Sequence, residues 1–244
     1  MWCEPFFVIF ERWGHQAAII NGIDAKSVGH DSGTKLTLTG TSASSYADWP
    51  TTLAAMGQGE YPLPNLVFSG PSYPGTYGSA VVRAGGGTLL ELIDGSITGS
   101  ADSEAPSFET PADSMIDAFV HSRVTQFSEA NDAIAGQTRE RSQALLESME
   151  RTMELEGRRF EAGLTDLGSG LLAQSIKAAE MMRLGISRTA MISIPGGWDC
   201  HGDVTVNAGQ FEDFFGALDQ LMDHLQNTPG LHTRWLADEV TVVC

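Results

Sequence analysis

The segment Gly-Gly-Trp-Asp-Cys-His, from Gly196 to His201, contains the residues of this chain that are best suited to chemistry. Asp199 and His201 stand two positions apart, so an extended loop would direct both side chains toward one divalent cation. A carboxylate oxygen together with an imidazole nitrogen suits Zn²⁺, Mn²⁺ or iron. The preceding glycines allow the backbone to turn and to approach a ligand closely. The pattern predicts a metal site, and it leaves open a second interpretation in which Asp199 caps a turn or helix and His201 lies on the surface.

A second polar segment, His-Asp-Ser-Gly-Thr from His30 to Thr34, lies in a loop that we predict after an early apolar strand. Loops that follow strands of parallel sheets often face ligands. His30 and Asp31 are therefore further candidate metal ligands. Ser32 and Thr34 are candidate nucleophiles, whose hydroxyl groups would need a metal ion for activation. The alternative is a surface loop that Asx and Ser/Thr turns stabilise.

Apolar periodicity predicts the elements that position these segments. We predict strands at residues 16–21, 65–69, 189–194 and 239–244, and helices at residues 4–13, 47–56, 171–184 and about 211–225. Residues 70–84 are rich in Gly, Ser, Tyr and Pro, which predicts an ordered loop or a short hairpin. The chain ends in the order helix, strand, polar loop, helix, strand. This order predicts an α/β fold with a mostly parallel sheet and helices on both faces.

The middle of the chain differs from both ends in its sequence composition. Residues 94–111 are polar with scattered prolines and indicate a linker. Beyond them, apolar residues recur at helical spacing and predict a helical hairpin at about 112–168, inserted in a single domain of residues 1–244. The hairpin would pack on one face of the sheet. A coiled-coil dimer arm is the alternative, although Gly157 and Gly163 interrupt its heptads.

The charge balance excludes several classes of partner. The net charge of −17 argues against a nucleic-acid-binding protein, which needs Lys and Arg to displace counterions, and against binding to an anionic membrane. No apolar stretch reaches the length of a membrane span. The three cysteines lie far apart, so a zinc ribbon or a disulfide framework is not expected. The N-terminal residues lack the basic region of a signal peptide.

The run from Leu172 to His201, LAQSIKAAEMMRLGISRTAMISIPGGWDCH, resembles the part of the family called domain of unknown function 1501 that ends in Gly-Gly-Trp-Asp-Thr-His. The early segments Ile20–Gly33 and Leu63–Tyr73 also follow its pattern. The resemblance implies an alkaline-phosphatase/sulfatase-like fold, with Asp199 and His201 as ligands of a catalytic metal, zinc or manganese. It implies a hydrolase that acts on phosphate or sulfate esters of small molecules, and a periplasmic or exported location.

The chain departs from the family pattern in three respects. Cys200 replaces a threonine, and it would serve either as a soft third ligand or as a plain small residue. The superfamily's first metal-binding Asp lies ahead of the matching region, and its further His lies after it. The residues present therefore do not supply a full two-metal site, which is expected of a partial chain or a divergent member. The alternative function is a non-catalytic binding or export-associated protein that has the same fold and an incomplete metal site.

Overall fold

The structure is a computed structural model. It describes residues 4–20, 22–24, 26–43, 45–57, 59–84, 111–130, 142–143, 145–147, 149–150, 155, 170–194, 196, 198 and 205–244. The described helices are α1 (Glu4–Trp13), α2 (His30–Thr39), α3 (Trp49–Met56), α4 (Pro111–Ala130), α5 (Leu171–Arg183) and α6 (Val206–Asn227), and the described strands are β1 (Asn65–Val67), β2 (Val81–Arg83) and β3 (Thr189–Met191). The chain divides into two compact units, one of Met1–Gly86 with Ala162–Cys244 and the other of Gly87–Glu161.

The first unit contains a small parallel sheet in the order β2-β1-β3. Central strand β1 pairs in parallel with both neighbours, so that Leu66 lies opposite Val82 on one side and Ala190 on the other. Leu66 and Val67 are buried, as expected of a strand between two others. The predicted α/β class with a parallel sheet is confirmed. Residues 70–80 form the predicted loop, but it leads into the parallel strand β2 and not into a hairpin.

Helix α3 contacts the sheet through buried polar groups as well as apolar ones. The fully buried Asp48 caps its N-terminus, because Oδ1 accepts a hydrogen bond of 2.8 Å from Thr51 N. Its other oxygen, Oδ2, accepts a bond of 2.7 Å from Tyr73 N and so holds the loop that follows β1. Pro50 occupies the first turn, where its missing N–H costs nothing. The helix predicted at residues 47–56 is confirmed with these caps.

A second group of contacts joins α1, α5 and α6. Arg12 of α1 forms ion pairs with Asp219 and Asp223 of α6, and Trp13 Nε1 donates to Asp219 Oδ1 at 2.8 Å. Ala179 of α5 and Leu225 of α6 share a buried apolar cluster with Leu236. The helices predicted at residues 4–13, 171–184 and 211–225 are confirmed, and α6 begins earlier than its apolar stripe.

Two predicted strands are wrong. Residues 17–20 have no regular secondary structure and pair with no described strand, and Ile19 and Ile20 are 67% and 78% exposed. Residues 239–244 likewise form no strand, and Val242 and Val243 are exposed. A short apolar or β-branched run favours extended backbone, but a strand also needs a partner edge. Neither run has such a partner within the described sheet.

The predicted loop at residues 24–34 is partly wrong, because α2 begins at His30. Gly29 precedes the helix, and Gly40 N donates to the Leu36 carbonyl at its end. Helix α2 has no buried residue. Local hydrogen bonds, and not burial of an apolar face, therefore stabilise this helix. The loop was predicted because the segment is rich in turn-forming residue types.

The second unit includes α4, in a region where the sequence predicts helices. Met115, Ile116, Phe119 and Phe127 of this helix are exposed. Further helical residues occur between positions 142 and 155. The predicted linker up to residue 110, and most of the predicted hairpin beyond residue 130, lie outside the described residues. No helix in the described part of the chain is long and apolar enough to cross a membrane.

We predict that Asp48→Ala lowers the free energy of unfolding by about 2–4 kcal/mol, because it removes a helix cap and takes the acceptor from the buried Thr51 N–H and from the partly buried Tyr73 N–H. Urea denaturation monitored by circular dichroism would measure the change. Asp213→Ala, which removes an exposed acid from α6, is the matched control and should change stability by less than about 0.5 kcal/mol. Equal effects of the two substitutions would contradict the role of Asp48.

Candidate functional site

The carboxyl ends of the three parallel strands lie at one edge of the sheet, where α/β proteins bind ligands. The loop after β1 begins with Phe68 and Ser69, and the loop after β3 leads through Ser193 toward Trp198. Arg83 is the last residue of β2. These loops and this strand end form the candidate site, which we call the carboxyl edge.

Ser69 joins three elements at the carboxyl edge. Its Oγ accepts a hydrogen bond of 2.9 Å from Ser193 N, in the loop after β3. The same hydroxyl donates to Gln174 Oε1 of α5, also at 2.9 Å. Both sides of the hydroxyl are therefore used, and Ser69 holds the loops after β1 and β3 together against α5.

Gly70 lies beside Ser193, in the loop after β3. Its φ of +90° is one that side chains rarely adopt, and a Cβ there would lie 3.1 Å from Ser193 Cβ. The Gly70 carbonyl accepts a hydrogen bond of 2.9 Å from Arg83 Nη1. One residue thus contacts both the end of β2 and the loop after β3, which lie on opposite sides of β1.

The loop after β3 is held by the first turns of α6. Trp198 packs edge-on against Phe211 with 5.1 Å between ring centroids, and its carbonyl accepts a bond of 3.2 Å from Asn207 Nδ2. Gly196 has a φ of +119°, and a Cβ at this position would collide with the side-chain amide of Gln210. The positive φ of Gly196 is therefore the reason that this position favours glycine, and a side chain there would also have to displace Gln210.

Two buried polar atoms border this loop without a hydrogen-bond partner in the described structure: Trp198 Nε1, a donor, and Gln210 Oε1, an acceptor. Buried polar atoms are usually paired, and an unpaired one costs about 1–3 kcal/mol. A donor and an acceptor without described partners therefore lie beside the glycine turn at Gly196.

Asp199, Cys200 and His201 lie outside the described residues, immediately after Trp198. The described residues include no group of three or more His, Cys, Asp or Glu side chains placed to share a metal ion. The predicted site for zinc or manganese therefore stays a prediction that depends on Asp199 and His201.

The other candidates lie on α2. His30 and Asp31 are exposed residues of its first turn, and Thr34 is also exposed. Ser32 Oγ forms hydrogen bonds with Ser27 Oγ at 2.6 Å and with the Gly29 carbonyl at 3.1 Å, both within the same segment. These contacts are those of a helix N-terminus, so no contact that the structure gives Ser32 indicates a role as a nucleophile.

Sequence patterns did not single out Ser69, Arg83 or Gln174. Ser69 follows an apolar run and precedes Gly70-Pro71, which is a signal for a strand end and could have drawn attention to it. Arg83 and Gln174 have no comparable local signal. Their positions depend on strand pairing and on the packing of α5.

Comparisons of this chain with protein-family models, with curated proteins and with solved structures find no significant match. The resemblance to the family called domain of unknown function 1501 therefore rests on the sequence motifs alone.

We predict that Ser69→Ala loosens the loop after β3, because the Ser193 N–H and Gln174 Oε1 each lose the hydrogen bond to Ser69. Amide hydrogen exchange should become faster at residues 192–198, and the free energy of unfolding should fall by about 1 kcal/mol. Ser72→Ala is a control in the same loop, since the Ser72 hydroxyl has only a long contact of 3.5 Å with Asp48. Unchanged exchange in Ser69→Ala would contradict the role of Ser69.

Proposed function

We propose that this protein is a metal-dependent hydrolase of the alkaline-phosphatase/sulfatase type, which acts on phosphate or sulfate esters of small molecules at the carboxyl edge. The observation that carries the proposal is the convergence of the loops after β1 and β3 at Ser69 and Ser193, five residues before the Trp-Asp-x-His motif begins. A catalytic site in a parallel sheet is expected at such a convergence.

The chemistry of the motif supports this assignment. Asp199 and His201 would hold a divalent ion, zinc or manganese, which would act as a Lewis acid on an ester oxygen. The packing of Trp198 on Phe211 and the hydrogen bond from Asn207 restrain the loop just before these two residues. A restrained loop reduces the entropy that two ligands lose when they bind one ion.

A second candidate function is a non-catalytic binding or export-associated protein with an incomplete metal site. The exposure of His30 and Asp31 on α2 favours it, because these residues were the further metal ligands expected from the sequence. An ion held by Asp199 and His201 alone would have few protein ligands, whereas catalytic zinc sites use three.

The metal content of the purified protein tests the first candidate against the second. After loading with zinc or manganese and removal of free ions, we expect close to one equivalent of metal per chain by elemental analysis. Asp199→Asn and His201→Ala should each remove most of it, because each deletes a ligand atom. The same samples should then be assayed with p-nitrophenyl phosphate and p-nitrophenyl sulfate.

The double variant His30→Ala/Asp31→Ala is the matched control, since it removes the same two side-chain types from α2. It should retain the metal if the ion is bound at the motif. Loss of metal in this double variant would move the site to α2. Absence of metal from the unaltered chain under all loading conditions would eliminate the hydrolase proposal and leave the binding protein.

A further inference from the structure

Arg83 is the last residue of β2 and therefore lies at the carboxyl edge. Its Nη1 donates to the Gly70 carbonyl at 2.9 Å. The residue is exposed, and the structure gives it no ion pair with any described carboxylate. The guanidinium group is thus held in one position while most of its N–H donors remain available.

This position is adjacent to the loop that leads to the motif. Strands β2 and β3 lie on opposite sides of β1, about 10 Å apart. Gly70 links the two sides, because its carbonyl accepts the hydrogen bond from Arg83 and a Cβ added at Gly70 would lie 3.1 Å from Ser193 Cβ. The Arg83 guanidinium group and the loop after β3 therefore both lie beside Gly70. The loop after β3 continues to Trp198.

The charge of the whole chain makes a cation at this place significant. A net charge of −17 repels a dianionic ester as it approaches, so recognition needs local positive charge. A guanidinium group presents parallel N–H donors that match two oxygens of a phosphate or sulfate group. The hydrogen bond to Gly70 reduces the side-chain entropy that such binding would cost.

We propose that Arg83 is the anion-recognition residue of the carboxyl edge, and that it binds the tetrahedral oxyanion of a phosphate or sulfate monoester. The proposal rests on the proposed function, since it assigns the group that selects the substrate for the same site. It also makes a claim that does not require the metal, because the guanidinium group contacts the anion directly.

Isothermal titration of the full chain with inorganic phosphate and, separately, with inorganic sulfate tests the proposal. Each titration is performed in EDTA and again after loading with zinc. Arg83→Ala should weaken anion binding about 10- to 100-fold, and Arg83→Lys should have a smaller effect because it keeps the charge but loses the two parallel donors. The anion that binds more tightly identifies the ester class.

Arg188→Ala is the matched control, because Arg188 is an exposed arginine that precedes β3 at the opposite edge of the same sheet. It should leave anion binding unchanged. Thermal unfolding of each variant checks that the fold persists. Anion binding that is equal in Arg83→Ala and in the unaltered chain, or absent from the unaltered chain in both conditions, overturns the proposal.

The two proposals fail in distinguishable ways. Anion binding in EDTA that depends on Arg83, in a chain that takes up no metal, would support the anion site and eliminate the hydrolase. Metal uptake that depends on Asp199 and His201, with anion binding indifferent to Arg83, would support the metal site and eliminate the assignment of Arg83.

Discussion

The buried amide of Asn65 determines how α3 and the sheet fit together. Its Nδ2 donates to Thr51 Oγ1 at 2.9 Å, and its Oδ1 accepts from Thr189 Oγ1 at 3.0 Å. One side chain at the start of β1 therefore connects α3, β1 and β3. Apolar side chains alone could pack in several registers, whereas a buried amide needs particular partners or pays the cost of leaving them unpaired. The register of β1 against β3 is therefore strongly specified.

The geometry of the carboxyl edge depends on that register. Because Asn65 is aligned with Thr189 at one end of the strands, Ser69 meets Ser193 beyond the other end. Gly70 then lies between Ser193 and the end of β2. A slip of one residue would turn every side chain of β1 to the other face and would separate these groups. The candidate site is in this sense a consequence of polar contacts at the opposite edge of the sheet.

The electrostatic balance constrains either candidate function. With a net charge of −17, the chain can bind a divalent cation favourably at many places, so weak metal binding alone would say little about function. An anionic substrate is repelled by the same net charge, so its binding needs local positive charge. Arg83 provides such charge at the carboxyl edge. The hydrolase and the binding protein therefore differ in how many metal ligands gather there.

The sequence by itself determined the helices near residues 4–13, 47–56, 171–184 and 211–225 and the existence of β1 and β3, because apolar periodicity and caps are properties of each segment. It also identified Asp199 and His201 as candidate ligands from residue type and spacing, and this remains a prediction. Only the tertiary structure decided that β2 pairs with β1, and that residues 17–20 and 239–244 pair with no described strand. It also decided which groups meet at the carboxyl edge. Ser69 forms hydrogen bonds with Gln174 and Ser193, which are 105 and 124 residues away from it in the sequence. Contacts over such separations depend on which strand edges and helix faces become neighbours in the folded chain, and no local pattern contains that information.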